Sequence, residues 1–475
     1  MWLILAILAL IAAFVLVRTI LFKPEKIAVE EKIPVEFDKD AAVASLQELV
    51  RCKTVSYRDA SLEDNEEFEK FIALLPALYP NVFETCTFTQ LPDRALLFRW
   101  KGQKNGAPAV LMAHYDVVPV CEEQWEKPPF SAILEDGVLW GRGTLDTKVT
   151  INGVLFAAEH LIKSGFKPEN DIYFAFSGGE EINGNGALNI VDYFEEKGIV
   201  PAFVVDEGGA VVENVFPGVS KPCGLIGIAE KGMMDVCYSV KSGGGHASAP
   251  KPKTPVDTLA RACYRVVQNP FKAHLTAPVA EMFDTLGRHS SFLYRMIFAN
   301  LWLFSGVLDS ICKKSGGELN ALMRTTVAFT QMRGSDASNV IPPKATMVSN
   351  IRLNPEDTIE TALEYLKTNV ADKDVEIELL HGMNPSRISK TDCPEWDKVA
   401  RAVSETWEGT IVSPYLMVQC SDSRHYGRIS DKVYRFSAMD LTSEERATIH
   451  GNNERIRVET LCRAVEFYIR LMKKC

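Results

Sequence analysis

The chain has no long basic stretch, no CxxC pair, no internal repeat and no low-complexity tract. Each absence removes a class of protein. With 62 acidic against 52 basic residues, the formal net charge is −10 and no nucleic-acid partner is expected. The 11 cysteines are irregularly spaced and odd in number. That argues against a disulfide framework and against a Cys-rich zinc site, and favours a reduced chain. No basic segment precedes the first apolar run, which weakens a cleaved signal peptide as its explanation.

What is present is ample. The 475 residues are 47% hydrophobic and 24% charged, enough for a sizeable core and for two domains plus accessories. Trp2 to Val17 is an unbroken apolar run, followed by Arg18, then Thr19 to Phe22, then Lys23-Pro24. A membrane-spanning helix needs roughly 17–25 residues, a length reached here if Arg18 snorkels to the interface. Because the run is apolar on all sides, residues 1–22 read as a transmembrane anchor rather than a helix buried in a soluble body. Arg18, Lys23 and Lys26 follow the run and lean towards a cytoplasmic body, without fixing the side of the membrane. Residues 23–37 read as a polar tether.

From Asp38 the pattern is α/β. Helical periodicity at 40–51 and 66–78 leads into strand-like stretches at 94–100, 107–116, 171–181 and 199–209, with a helix over 148–165 ended by Gly165. Three times an apolar strand ends in an acidic or histidine cluster. In open α/β sheets ligands bind at the carboxyl ends of strands, so this placement outweighs any one cluster.

The clusters are His114-Tyr-Asp116, Asp146, Glu180-Glu181, Asp206-Glu207 and His450. Two histidines with three carboxylates, one of them shared, form a ligand set for a pair of divalent cations, with one carboxylate left to move protons. His114 and Asp116 lie two apart on a strand and so face one way, and the Asp116 carboxylate is placed to accept the second imidazole N–H. Asp146 is either a helix-N-terminal acid stabilised by the dipole or a carboxylate bridging two cations. Glu180-Glu181 would be an ordinary solvated pair on a surface. After an apolar strand and Gly178-Gly179, one glutamate can bind metal while the other serves as a general base. Spacing leaves open which of Asp206 and Glu207 is a ligand. His450 would supply the last nitrogen, at a loop-to-helix junction before an amphipathic helix at 457–472.

These motifs resemble the zinc exopeptidases and amidohydrolases grouped with aminoacylase and carboxypeptidase S, peptidase family M20. The resemblance covers residues 38–475. It rests on HYDVVPV (114–120), W..PPF (125–130), DGVLWGRGTLDTK (136–148), GGEEINGNGA (178–187), VVDEGG (204–209), GGHASAP (244–250), SDSRHY (421–426) and IHGNNERI (449–456), in family order. The nearest branch is the carboxypeptidase S-like and N-acyl amino acid hydrolase one. By position the resemblance implies one zinc on His114, Asp146 and Asp206 and another on Asp146, Glu181 and His450. Glu180 is then the general base, and Asp116 orients His114. Cobalt or manganese would suit the same N/O donors. Gly179 departs from the pattern, which usually has an acid there.

The implied fold is an α/β catalytic domain, a mixed sheet flanked by helices, in two parts (38–225 and 385–475). An inserted ferredoxin-like α+β lid or dimerisation domain occupies 226–384. Its own pattern is a strand at 226–240, a helix at 253–268, strands at 325–334 and 344–355, a helix at 358–369 and a strand at 374–381. Residues 270–322 lengthen the first crossover and read as helical, with membrane or dimer contact as a second use. The resemblance gives His246, in the lid, the role of polarising the scissile carbonyl, in some members across a homodimer. Asn350, Arg352 and Arg424 are candidates to bind the substrate, an arginine being the natural bidentate partner of a free carboxylate. His160, His274, His289, His381 and His425 read as structural.

The expected protein is a membrane-anchored dinuclear zinc hydrolase of a small peptide or an N-acyl amino acid. Its rivals are a deacylase of a small N-acylated metabolite and a non-catalytic membrane-bound binding protein of the same fold.

Overall fold

The computed structural model describes residues 1–24, 34–214 and 216–475. Most of the tether expected at 23–37 therefore lies outside the described residues. An eight-stranded mixed sheet forms the larger core. Its strands run in the order Thr87–Leu91, Ala95–Trp100, Ile172–Ser177, Ala109–His114, Phe203–Val212, Val433–Leu441, Cys223–Glu230 and Ile411–Met417. Ile172–Ser177 and Phe203–Val212 both run parallel to Ala109–His114, whereas the first two strands and the pairing of Val433–Leu441 with Cys223–Glu230 are antiparallel.

The central strands are apolar on both faces because helices cover both faces. Along Ala109–His114, Leu111 and Ala113 share a core with the helices Lys148–Lys163 and Val458–Met472. Val110 and Met112 point the other way, to Ile190, Val191 and Phe194 of the helix Gly186–Glu196. Gly153 lets the two helices of the first layer approach closely, since a Cβ there would lie 3.0 Å from the Tyr468 ring.

The second core belongs to a four-stranded antiparallel sheet in the order Thr326–Arg333, Lys344–Leu353, Gly232–Lys241, Glu376–Met383. The helices Pro255–Gln268 and Ile359–Val370 pack on one face, around Val236, Tyr238, Leu259, Met347, Ile351 and Leu366. With the helices in this order the topology is ferredoxin-like. Its residues lie between the two stretches that build the large sheet, so it is an insertion. The extended crossover carries the helices Ala277–His289, Phe292–Ala299, Leu301–Ser315 and Gly317–Met323.

One expected strand divides. In place of the single lid strand expected over 226–240, Cys223–Glu230 belongs to the large sheet and Gly232–Lys241 to the small one. The break is Lys231, whose Nζ donates to the carbonyls of Ala321 and Arg324, each at 2.8 Å. Gly232 follows where a Cβ would lie 2.6 Å from the Met383 carbonyl oxygen. Burial, aided by the Arg352 charge, pushes the Lys231 pKa down to about 7. The native state therefore releases a proton that the unfolded chain keeps up to about pH 10.4. Stability contributed at this position is lowest below pH 7 and rises as pH climbs towards 10. Urea unfolding of the wild type and Lys231→Met at pH 6.5 and 9 tests this, the expectation being that the wild type gains on the variant at the higher pH. An unchanged difference between the two would refute it.

Candidate metal centre

A short β-ribbon ties the two loops that matter most. Ile133–Glu135 and Val138–Trp140 are joined by a two-residue turn, Asp136-Gly137, with φ of 52° and 74°. Positive φ at both positions suits Asp-Gly and matches the strand twist. Arg455–Arg457 pairs with Val138–Trp140, so the segment after His450 is bound to the segment before Asp146.

A buried ion pair strengthens this tie. Arg142 Nη1 donates to Glu454 Oε2 at 2.6 Å, with both side chains almost fully buried. The Glu454 carboxylate also accepts from the backbone N–H of Gly143, Leu145 and Asp146 at 3.1, 2.7 and 3.2 Å. Arg142 Nη2 donates to the carbonyl of Gly451 at 2.7 Å.

His114 ends its strand and Asp146 stands just before the helix Lys148–Lys163. Asp146 Oδ1 lies 3.0 Å from His114 Nε2, and Asp146 Oδ2 lies 3.0 Å from His450 Nε2. His450 Nε2 is also 3.0 Å from Glu181 Oε2. Its backbone sits in the left-handed region at φ 58°, uncommon for a non-glycine residue. The ligand atoms of His114, Asp146 and Glu181 fall within 4.8 Å of one another, as do those of His114, Glu180 and Glu207. Glu180, expected as the free base, is thus itself a member of one candidate ligand set.

Asp206 and Glu207 part company. Glu207 Oε1 is 3.2 Å from His114 Nε2, whereas the Asp206 carboxylate turns away and accepts from the Ser423 N–H at 3.0 Å. The expected ligand Asp206 is therefore not the carboxylate that meets His114. Strand parity is the reason. Asp206 follows Val204 to the face carrying Tyr426, while Glu207 follows Val205 to the face covered by the helix that begins beside Asp146.

Asp116 is fully buried and does more than expected. Its carboxylate accepts from the Ser56 hydroxyl at 2.6 Å and from the backbone N–H of Glu180 and Glu181 at 3.1 and 3.2 Å. It therefore fixes the turn that presents both glutamates. The nearer partner of His114 Nδ1 is the Asp116 carbonyl oxygen at 3.0 Å, with the carboxylate at 3.4 Å.

The other expected residues lie elsewhere. His246 is exposed on the short ribbon Gly245–His246, and its Nδ1 pairs with the Ser248 hydroxyl at 2.8 Å. Asn350 donates to Asp235 at 2.7 Å, and Arg352 Nη1 lies 3.4 Å from Cys420 Sγ, both from the half-buried face of the lid sheet. Arg424 is mostly buried, 3.4 Å from Glu230 and 2.9 Å from Met383 Sδ. It reaches from the large domain to the lid.

Electrostatics explain why this cluster calls for cations. Burial pushes Glu207 up to about 8, with Asp146 and Asp206 adding to the rise against the pull of His114. Burial likewise lifts Glu180 well above the carboxylate range, with Glu207, Asp422 and Glu181 adding to it. His450 is raised to about 10 by its hydrogen bonds to Asp146 and Glu181. Anions crowded out of water protonate or acquire cations. Glu181 Oε1 is buried without a hydrogen-bond partner, an unsatisfied acceptor on a residue whose other oxygen meets His450. The N/O donor set, its excess negative charge and this orphaned oxygen all fit a pair of divalent metals.

Sequence reasoning left Asp206 and Glu207 open and favoured Asp206 on the family resemblance alone, although parity against Val204 and Val205 separates the two faces. It missed Arg142 and Glu454, which only the fold brings together, 312 positions apart.

The chain matches Peptidase family M20/M25/M40 over residues 110–474 and belongs to that family, whose members are enzymes acting on amide bonds. Among its relatives, the N-fatty-acyl-amino acid synthase/hydrolase PM20D1 of Xenopus tropicalis is 36% identical over 92% of this chain and 86% of its own. The probable carboxypeptidase S-like 2 of Dictyostelium discoideum is 32% identical over 98% of this chain and 92% of its own. The fold is shared with the M20 family metallo-carboxypeptidase Sso-CP2 from Sulfolobus solfataricus (TM-score 0.68, 18% identity, 91% of this chain and 98% of that one). It is shared too with human carnosine dipeptidase 1 (TM-score 0.66, 14% identity, 92% and 96%).

Proposed function

We propose that the chain is a dinuclear zinc hydrolase cleaving an amide bond next to a free carboxylate, in an N-acyl amino acid or a short peptide. The observation that carries this reading is Asp146, whose two oxygens each face a different histidine at 3.0 Å. That is the arrangement of a carboxylate shared between two cations. His114, Asp146 and Glu207 would hold one metal, and Asp146, Glu181 and His450 the other, with zinc favoured and cobalt or manganese admissible. Bound there, the pair would supply an activated water and positive charge for the developing oxyanion.

The protein's own groups do the rest. Glu180 takes the proton from the attacking water and passes it to the leaving nitrogen, and burial keeps its carboxyl basic enough for both tasks. Asp116 holds Glu180 and Glu181 in place through their backbone N–H groups. Arg424, with Arg352 and Asn350 on the lid, receives the substrate carboxylate. His246, exposed on the lid in the single chain, donates to the scissile carbonyl in a homodimer. The helix Trp2–Leu21 anchors the enzyme in a membrane. Fatty-acyl amino acids are the favoured substrates on the likeness to PM20D1.

Glu180→Gln tests the base. Turnover of an N-acyl amino acid should fall by roughly 10²–10⁴-fold, with the metal content by mass spectrometry unchanged. Wild-type turnover with both metals retained would overturn the assignment.

A further inference from the structure

The helix Trp2–Leu21 does not hang free of the body. Arg18 donates through Nε and Nη2 to the carbonyl of Ala299 at 3.1 and 2.9 Å. Asn300 is fully buried and its amide lies 3.3 Å from both the Val15 carbonyl and the Thr19 hydroxyl. Phe14 meets Trp302 edge to face at 6.1 Å, and Arg288 covers the Phe22 ring at 4.5 Å. Apart from this docked stripe, the helix exposes its apolar side chains along its whole length.

The partner in this contact is the bent pair Phe292–Ala299 and Leu301–Ser315, whose axes meet at 113°. Both helices have two faces. Phe298, Leu308 and Cys312 are buried in the core of the large domain. The outer face carries Leu293, Trp302, Val307 and Ile311, exposed by 69, 55, 51 and 48%, with Phe292 and Leu303 beside them. Leu303, Val307 and Ile311 recur at a spacing of four, a single helical stripe. Such a contiguous patch on a soluble surface marks an interaction site.

We propose that this bent pair lies in the interfacial layer of the same bilayer that the helix Trp2–Leu21 enters, so that the catalytic body is seated on the membrane rather than swinging from a tether. Geometry selects the lipid surface over a second crossing. At about 1.5 Å per residue neither arm approaches the roughly 30 Å of a hydrocarbon core, and each has one face committed to the protein core. An amphipathic helix with one apolar face out is the form that lies in the interface. Charge agrees. Asp309 is drawn to the protein side by Arg324, and the exposed Lys313 and Lys314 close the apolar stripe where headgroups would begin. The stripe is continuous with the anchor helix through Phe14 and Trp302, so lipid around one reaches the other.

The proposal rests on the anchor reading above, and the test separates the two. A photo-crosslinking amino acid is placed singly at positions 7, 104, 293, 303 and 307 of the full chain, reconstituted in phosphatidylcholine vesicles containing phosphatidylserine. Position 7 reports the anchor. Position 104, an exposed lysine in the loop between Ala95–Trp100 and Ala109–His114, is the control. Thermal melts establish that each variant is folded. Lipid adducts at 7, 293, 303 and 307, with none at 104, support the proposal, and adducts at 293, 303 and 307 without 7 overturn the anchor and with it the shared bilayer. Adducts at 7 alone overturn it and leave the anchor standing. Crosslinks from 293, 303 or 307 to a second copy of the chain overturn it in favour of a dimer interface. No adducts anywhere overturn both readings.

Discussion

Asp146→Asn should reduce amide hydrolysis by about 10⁴-fold or more, the scale on which loss of a central metal-site group acts. The substitution keeps the shape and removes the charge. It also turns one of two acceptor oxygens into an N–H₂ group, which faces either His114 or His450 where a carboxylate oxygen now stands 3.0 Å away. Because each oxygen serves a different half of the site, both metals should be weakened together. Mass spectrometry of the metal content would show a loss at both positions rather than one. A variant that kept two metals and ran within tenfold of the wild-type rate would remove Asp146 from its proposed role.

The second large effect lies outside the ligand set. Glu454→Ala strips the Arg142 guanidinium of its charge partner in a fully buried setting, where Arg142 Nε already has no acceptor. Breaking such a pair by removing one member costs about 3–5 kcal/mol. The backbone N–H groups of Gly143, Leu145 and Asp146 lose their acceptor in the same step. Urea denaturation should report the stability loss, and activity should fall with it as the loop carrying Asp146 relaxes. The double variant Arg142→Met/Glu454→Met separates the two roles. It removes the orphaned charge and should regain part of the stability, but it restores no acceptor to the loop and so should not regain metal content. Recovery of both would reduce the pair to a packing device.

How much of this was legible beforehand depended on whether the signal was local. Strand positions were readable because the central strands are short, unbroken apolar runs bounded by polar turns, as Ala109–His114 and Ile172–Ser177 are, while the helices repeat their apolar residues at helical spacing. His114, Glu180 and Glu181 stood out because an apolar strand leading into polar residues is conspicuous in one dimension, and Asp146 because it sits in a glycine-containing loop just before a helix. The choice between Asp206 and Glu207 turned on which face of the sheet the site occupies, a property of neighbouring helices that no stretch of four residues reveals. The strand read across 226–240 ran unbroken because apolar composition continues past Lys231, while the change of sheet depends on carbonyls of Ala321 and Arg324 far along the chain. Arg142 and Glu454 gave no local sign, each being an ordinary charged residue in a glycine- or asparagine-rich loop.

The Arg142–Glu454 pair also dates the site. During synthesis His114, Asp146, Glu180 and Glu181 leave the ribosome long before His450 and Glu454, with the whole lid made in between. Until the last residues emerge, the loop bearing Asp146 has no acceptor for its amides and Arg142 no counter-charge. On the proposed ligand set, a nascent chain would carry an incomplete site until the final segment, with His450 and Glu454, is made. A purified fragment ending before 440 should be inactive, and supplying the missing C-terminal piece in trans is the route by which activity would return.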